Sequence, residues 1–534
     1  METQREILKV CMSKGFLLDK EMLDLFSKLS DDAAKEIVEI LSVLEIGERV
    51  ITKALFGKNI ERIKRTLVDG KNKTTIEKFF INFGYSKEEI EVRLGGKEEE
   101  TQRGVVKLLS NPIINPRKVE VQDFVKHFRS RFELIKKILE ERGLENLSSI
   151  RRIGNSRENY TVIGLVLEKR ITKNKNLIFI IEDLTGSVSV LVNFNKKEVF
   201  EKAKDILEDD VVAFSVTGSK EILFANDVSF PDAFLSEKRR NEEEALVAFI
   251  SDIHAGSVMF LENNFLKFVK WLNGEEGDKI QREMAKKVRY LFINGDSVDG
   301  VGHFPGQEKW LNILDMKGQY KKVTELLKLI RKDIKIIFAP GNHDAVWVGE
   351  PQPIISEEWA GDLYKMGNVV MVPNPCMVEI DGGFKILMYH GGSMHSMIND
   401  IEYLRVNYGC DAPAKVGVEI LKRRHLAPTH GNVDYIPGEK EDELVIKYVP
   451  DILTTADLHR HEVGVHNNIL IIATSCWQSK TPFQEKVGNH PDFCKVPIFN
   501  LKTREIKIMD FFDEEIEKET CGESGEEIKC EVKK

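Results

Sequence analysis

Five times in the second half of this chain, an apolar run of strand character breaks off directly into a cluster of acids, amides and imidazoles. ALVAFI runs into Ser251-Asp252-Ile253-His254, YLFIN into Gly295-Asp296-Ser297-Val298-Asp299, and IKIIFAP into Gly341-Asn342-His343-Asp344. FKILMY runs into His390-Gly391-Gly392, and DILTT into Ala456-Asp457-Leu458-His459-Arg460-His461. Helical stretches alternate with these strands, so residues 240–512 read as an α/β sandwich. In open α/β sheets, loops at the carboxyl ends of strands converge in space however far apart they lie in sequence. Any one of these short motifs arises by chance in many chains. Five in one order, all at strand ends, are not explained as helix caps.

The residue types point to a chemistry. Asp and His at a spacing of two on an extended segment project to one side, offering an oxygen and a nitrogen to a single ion. A carboxylate such as Asp296 can bridge two ions through its two oxygens, Asn342 adds a neutral amide oxygen, and neutral imidazoles complete the shells. Such a set suits two divalent ions, and ions about 3.5 to 4 Å apart clamp the oxygens of an in-line displacement at phosphorus. The expected reaction class is phosphoester hydrolysis.

The first half is organised differently. Residues 1–90 predict a small helical module, with Ser30 as a cap and Ile37, Ile40, Leu41 and Leu44 on one face. Residues 91–120 lose all periodicity and read as a linker. Residues 121–150 carry a connecting amphipathic helix whose basic side, including Lys126, Arg129, Arg131, Lys136 and Lys137, is expected in solvent. Five β-rich runs within residues 151–236, with a helical KEVFEKAKDIL between the third and fourth, predict an OB-fold β-barrel. Its candidate base-stacking aromatics are Tyr160, Phe179 and Phe194, few enough that an adaptor role competes with strand binding.

Composition excludes other classes. No apolar stretch reaches membrane-span length, and the seven cysteines include no CxxC pair. The charged N-terminus lacks a secretory pattern, so a cytoplasmic location is expected. The net charge of −9 sits mostly in an acidic tail, residues 513–534 and their approach, leaving a nearly neutral body that cannot wrap nucleic acid by bulk charge.

The order DxH, GDxxD, GNHD, YHG and a final small-[H/D]-x-H resembles the calcineurin-like metallophosphoesterases. Asp299 to Gln307, Glu350-Pro-Gln-Pro353, Glu439 to Ile446 and Val449-Pro-Asp-Ile452 resemble the small subunit of archaeal family D DNA polymerase, over roughly residues 120–510. That family is similar to the B-subunits of eukaryotic replicative polymerases, in which the phosphoesterase residues are largely lost; here they are present. The resemblance implies a two-metal 3′–5′ exonuclease that proofreads for a separate large catalytic subunit, acting on single-stranded or mismatched DNA 3′ ends. It implies Asp252 and His254 at the first metal, Asp296 as the bridge and Asn342 and His390 at the second metal. His343 is then the catalytic imidazole, oriented by Asp344.

The last motif departs from the family's GHxH. Ala456-Asp457-Leu458-His459 and Leu458-His459-Arg460-His461 are both open registers. Ala456 imitates the expected glycine better than Leu458, so Asp457 and His459 are the expected ligands, with His461 outside. An oxygen there favours Mn²⁺, with Mg²⁺, Fe²⁺ or Zn²⁺ as alternatives. His303, His395, His425, His430 and His466 read as surface or satisfied core histidines. Glu505 to Phe512 resembles a sliding-clamp motif, while alternating Ile506 and Ile508 favour a last strand. The competing functions are a non-catalytic assembly subunit and a stand-alone phosphatase or phosphodiesterase.

Overall fold

The computed structural model describes residues 11, 17–18, 50–51, 104–110, 112, 118–431, 433–481, 484–485 and 489–514. The expected helical module at 1–90, the first part of the linker and the acidic tail beyond 514 lie outside them, apart from those few residues. The chain divides into two compact units, 1–103 and 104–534. Of the first, a parallel pair is described, β1 (Leu17–Leu18) with β2 (Val50–Ile51).

The second unit begins with a correction. Within the expected linker, β3 (Lys107–Ser110) pairs antiparallel with a strand some 270 residues later and completes a sheet. Helix α1 (Val121–Glu140) follows, then the barrel strands β4 (Glu158–Ile171), β5 (Leu177–Asp183), β6 (Gly186–Val192), β7 (Val211–Ser219) and β8 (Ile222–Ser229). They close in the order β4-β5-β6-β8-β7, with helix α2 (Lys197–Ala203) between β6 and β7 as expected. Phe179 is wholly buried in the barrel core, so it cannot stack on a base.

The remaining strands are β9 (Leu246–Ile250), β10 (Val288–Asn294), β11 (Lys335–Ala339), β12 (Val369–Met371), β13 (Cys376–Ile380), β14 (Phe384–Met388), β15 (Ile452–Thr455), β16 (Glu462–His466), β17 (Ile469–Ala473), β18 (Lys495–Asn500) and β19 (Ile506–Asp510). They form two six-stranded sheets, ordered β12-β11-β10-β9-β18-β19 and β16-β17-β15-β14-β13-β3. The central strands are apolar throughout because both faces are buried. Val247 and Phe249 of β9 face the other sheet, packing with Phe292, Ile337, Ile386, Met388 and Ile472. Ala248 and Ile250, of opposite parity, pack instead with Phe265, Phe268 and Tyr320 from covering helices. The sheet pair is therefore a sandwich with helices outside, and the five strands that end in polar clusters come from both sheets.

Two further expectations are revised or decided here. Arg131 is not on a solvated face: only 1 % exposed, its Nε donates to Asp442 Oδ2 at 2.7 Å. His425 Nε2 lies 2.9 Å and His127 Nε2 3.1 Å from that same oxygen, and Leu444 N–H donates to Asp442 Oδ1. Burial pushes the Asp442 carboxyl up, but Arg131 and His425 outweigh it and hold it well below the ordinary range. This latch fastens α1, whose Phe132, Ile135 and Leu139 also cover Ile163, Leu165 and Ala213 of the barrel, to the sandwich. At the other end, Phe511 is buried against Phe268 and Trp271, centroids 5.3 and 5.5 Å away. The segment that resembles a clamp motif is thus an edge strand followed by a core phenylalanine.

Candidate metal centre

The loops after β9, β10, β11, β14 and β15 meet where the carboxyl ends of the two sheets adjoin. Asp252, His254, Asp296, His390 and His459 are all nearly inaccessible there. His254 Nε2 and His459 Nε2 face each other at 3.1 Å, with Asp252 Oδ1 3.4 Å from His459 Nε2. A second group adjoins it: His390 Nε2 lies 2.9 Å from Asn342 Oδ1, 3.4 Å from Asp296 Oδ2 and 3.8 Å from Asp457 Oδ1. Asp252, His254 and His459 have donor atoms mutually within 4.8 Å, as do Asp252, Asp296 and His390.

The backbone achieves this in an unexpected way. The paired Asp and His do not project from an extended segment. Asp252, His254, Asp296, Asp457 and His459 all have positive φ, between 48° and 64°. Non-glycine residues rarely adopt that region, and clusters of such residues mark sites where the surroundings overrule local preference. Gly295 and Gly341 allow the closeness: a Cβ at Gly295, where φ is 91°, would collide with His390 Nδ1, and one at Gly341 with Asp296 Oδ1.

Hydrogen bonds fix which atoms remain to act. His390 Nδ1 donates to the Asn294 carbonyl at 2.8 Å, so Nε2 is the atom that faces the Asp296, Asn342 and Asp457 oxygens. An imidazole nitrogen surrounded by acceptors needs a cation on it, a proton or a metal ion. Burial pushes the His390 imidazole down, yet Asp296 and its fellow acids outweigh burial and hold it well above the ordinary histidine range. Reciprocally, burial pushes Asp296 up, but His390, His343 and His254 hold it well below the carboxylate range. Asp252 Oδ1, fully buried, accepts no hydrogen bond among the described residues. These are the marks of a donor set shaped for cations.

Asp296 differs from expectation in detail. Its Oδ1 accepts the His343 N–H at 2.8 Å, leaving Oδ2 to face both His390 at 3.4 Å and His254 at 4.0 Å. Oδ2 is thus the oxygen that faces both groups. The brace on His343 also differs. His343 Nδ1 donates to the main-chain carbonyl of Asp299 at 2.7 Å. Asp344 instead accepts from Ser297 Oγ, Tyr320 OH and Gly341 N–H, tying the loop after β10 and the helix Met316–Lys328 to its own loop behind the site.

Asp457 and His459 face the donor groups, whereas His461 Nδ1 donates to the Ala473 carbonyl at 3.0 Å, away from them. Sequence reasoning passed over Asp299, whose Oδ1 lies 3.2 Å from His254 Nδ1 and whose signal was the second acid of GDxxD. It also passed over Gln484, 2.9 Å from His459 Nδ1, which no local pattern marks. Among the five other histidines, His303 stacks on His343 and His395 reaches the rim, 4.0 Å from Asp457 Oδ2.

Comparison with known proteins bears on this arrangement. Residues 247–463 match the family of DNA polymerase alpha/epsilon B-subunits, a span that holds every candidate ligand. A protein of Methanothermobacter thermautotrophicus named DNA polymerase II small subunit is 37 % identical over 396 residues, 73 % of this chain and 80 % of that one. The chain belongs to the archaeal DNA polymerase II small-subunit family. Its namesakes in Archaeoglobus fulgidus, 40 % identical over 70 % of this chain and 73 % of theirs, and in Pyrococcus furiosus, 34 % identical over 90 % and 84 %, agree. Among the described residues, no helix is long and apolar enough to cross a membrane.

Proposed function

We propose that this polymerase subunit is a two-metal 3′–5′ exonuclease serving a large catalytic subunit, and that it removes single-stranded or mismatched DNA 3′ ends. The observation that carries the reading is His390 Nε2, fixed by the Asn294 carbonyl to face only oxygens. Asp252, His254 and His459 would hold one ion, and Asn342, His390 and Asp457 the other, with Asp296 shared. When bound, two divalent ions supply positive charge at the phosphorus and lower the pKa of water. The hard oxygens of Asp457, Asn342 and Asp296 favour Mn²⁺.

The chain's own groups then do the following. His343, its Nδ1–H held by the Asp299 carbonyl, keeps Nε2 for the proton of the leaving 3′-oxygen. Asp299 orients His254 from the side opposite the donor group. The barrel, with Phe179 buried inside it, serves assembly with the large subunit.

The test is digestion of a 3′-mismatched primer by the full chain, alone and with its large subunit, across Mn²⁺, Mg²⁺, Fe²⁺ and Zn²⁺. Release of mononucleotides from the 3′ end, strongest with Mn²⁺, is expected. It should vanish in His459→Ala and persist in His461→Ala. No cleavage with any metal in either form, or a preference for phosphomonoesters, would overturn the reading.

A further inference from the structure

A cavity of about 510 Å³ opens directly beside His343. Asn342 and His343 form one wall, and the other is apolar, built from Met316, Trp347, Ile354 and Trp359. Apolar lining with a few convergent polar groups is the usual pattern of a ligand pocket, and the volume falls within the usual range. Phosphodiester hydrolysis itself makes no use of that apolar wall. Yet Trp359 is 37 % exposed, Ile354 45 % and rim residue Val348 60 %, so large side chains stand in water next to the reacting centre. Exposed apolar surface gathered at a polar site marks a place that another molecule covers.

Two details indicate its chemistry. The His303 ring stacks on His343, centroids 4.2 Å apart and planes 20° from parallel, so both imidazoles line the cavity as parallel flat rings. Lys317 Nζ lies 5.6 Å from the Trp359 ring centroid, placing a cation at the apolar wall. Flat rings, a neighbouring cation and a shared wall at the proposed cleavage site complement a planar base joined to an anionic backbone.

We infer that this cavity is a nucleobase subsite, in which one base of the DNA 3′ end, out of its stack, lies against the Trp347–Trp359 wall. The inference rests on the exonuclease reading and adds to it the source of substrate preference. A base must unstack and unpair to enter, which is least costly for a mismatched or single-stranded end.

The test reads binding without cleavage, in EDTA, using the full chain alone and assembled with its large subunit. Anisotropy would follow a labelled oligothymidylate of about eight nucleotides against an abasic backbone of the same length. The base-bearing strand should bind about tenfold more tightly. Trp359→Ala and Val348→Asp should each remove that preference, and Trp359→Phe should keep most of it, all with unchanged thermal melting. Unchanged affinity of both disruptive variants for the base-bearing strand overturns the inference. Weakened subunit assembly with unchanged strand binding also overturns it, making the wall a protein interface. Base preference without cleavage under any metal sinks the exonuclease reading and leaves the subsite standing; cleavage without base preference sinks the subsite alone.

Discussion

Two buried clusters of the sandwich are made from the same residue types and behave as opposites. In the latch, Ala427 N–H donates to His425 Nδ1, so Nε2 carries the proton and gives it to Asp442 Oδ2. Arg131 fills the remaining need of that carboxylate. Donor meets acceptor at each of these atoms, and the charge is balanced within the protein. At the candidate metal centre the polarity is reversed: His390 spends its N–H on a carbonyl behind it and turns its other nitrogen toward oxygens. The difference teaches that Asp and His in proximity do not make a metal site. What makes one is a hydrogen-bond arrangement that leaves acceptors facing acceptors.

Four substitutions or conditions separate the clusters, in falling order of effect. Asp296→Ala removes the oxygen shared by both donor groups, so exonuclease activity should fall to background and bound metal should drop by elemental analysis. Near-normal cleavage by that variant would reduce Asp296 to a loop residue. His343→Ala should lower turnover by about 10² to 10⁴ while both metals stay bound, as expected for one proton-transfer group. Metal loss in the same preparation would make His343 a ligand instead.

Asp442→Ala should do the reverse: it strands Arg131 as a buried charge and should cost about 3 to 5 kcal/mol by guanidinium unfolding, with cleavage per folded molecule unchanged. A fall in turnover without a fall in stability would join the two clusters functionally. The smallest effect is one of pH. Burial pushes the His425 imidazole down to about 4. The unfolded chain takes that proton near pH 6.5, so between 6.5 and 4 the unfolded state binds more protons and stability drops as pH falls, by up to roughly 3 kcal/mol. Melting temperatures across that window should slope less steeply in His425→Gln, where that one titration is removed, than in the native chain.

Much of the comparison could be read in advance, and the parts that could not have physical reasons. The strand-end clusters were legible because β9, β10, β11, β14 and β15 are buried on both faces and so spell short apolar runs. The barrel was legible for a similar reason, its strands alternating in period two. β3 was not, since four residues beside a proline and a charge run carry no periodic signal. The latch was invisible because Arg131 and Asp442 are 311 residues apart, and a lone arginine on a helix looks like any solvated charge. The candidate ligands were found by type and order, but their backbone was misjudged. Spacing of two suggests extension, whereas only tertiary packing forces five consecutive-but-one or isolated positions into positive φ.

That backbone has a bearing on how such subunits drift over generations. Holding a non-glycine residue left-handed costs on the order of 1 kcal/mol at each position, least for Asp, and the cost is borne whether or not a substrate ever arrives. Asp457→Gly relieves it, and removes a half-buried acid from among others, so that chain should melt no lower than the native one without metal while cutting nothing. A lineage that needs this subunit only to hold its polymerase together would therefore meet no thermodynamic resistance in losing Asp457.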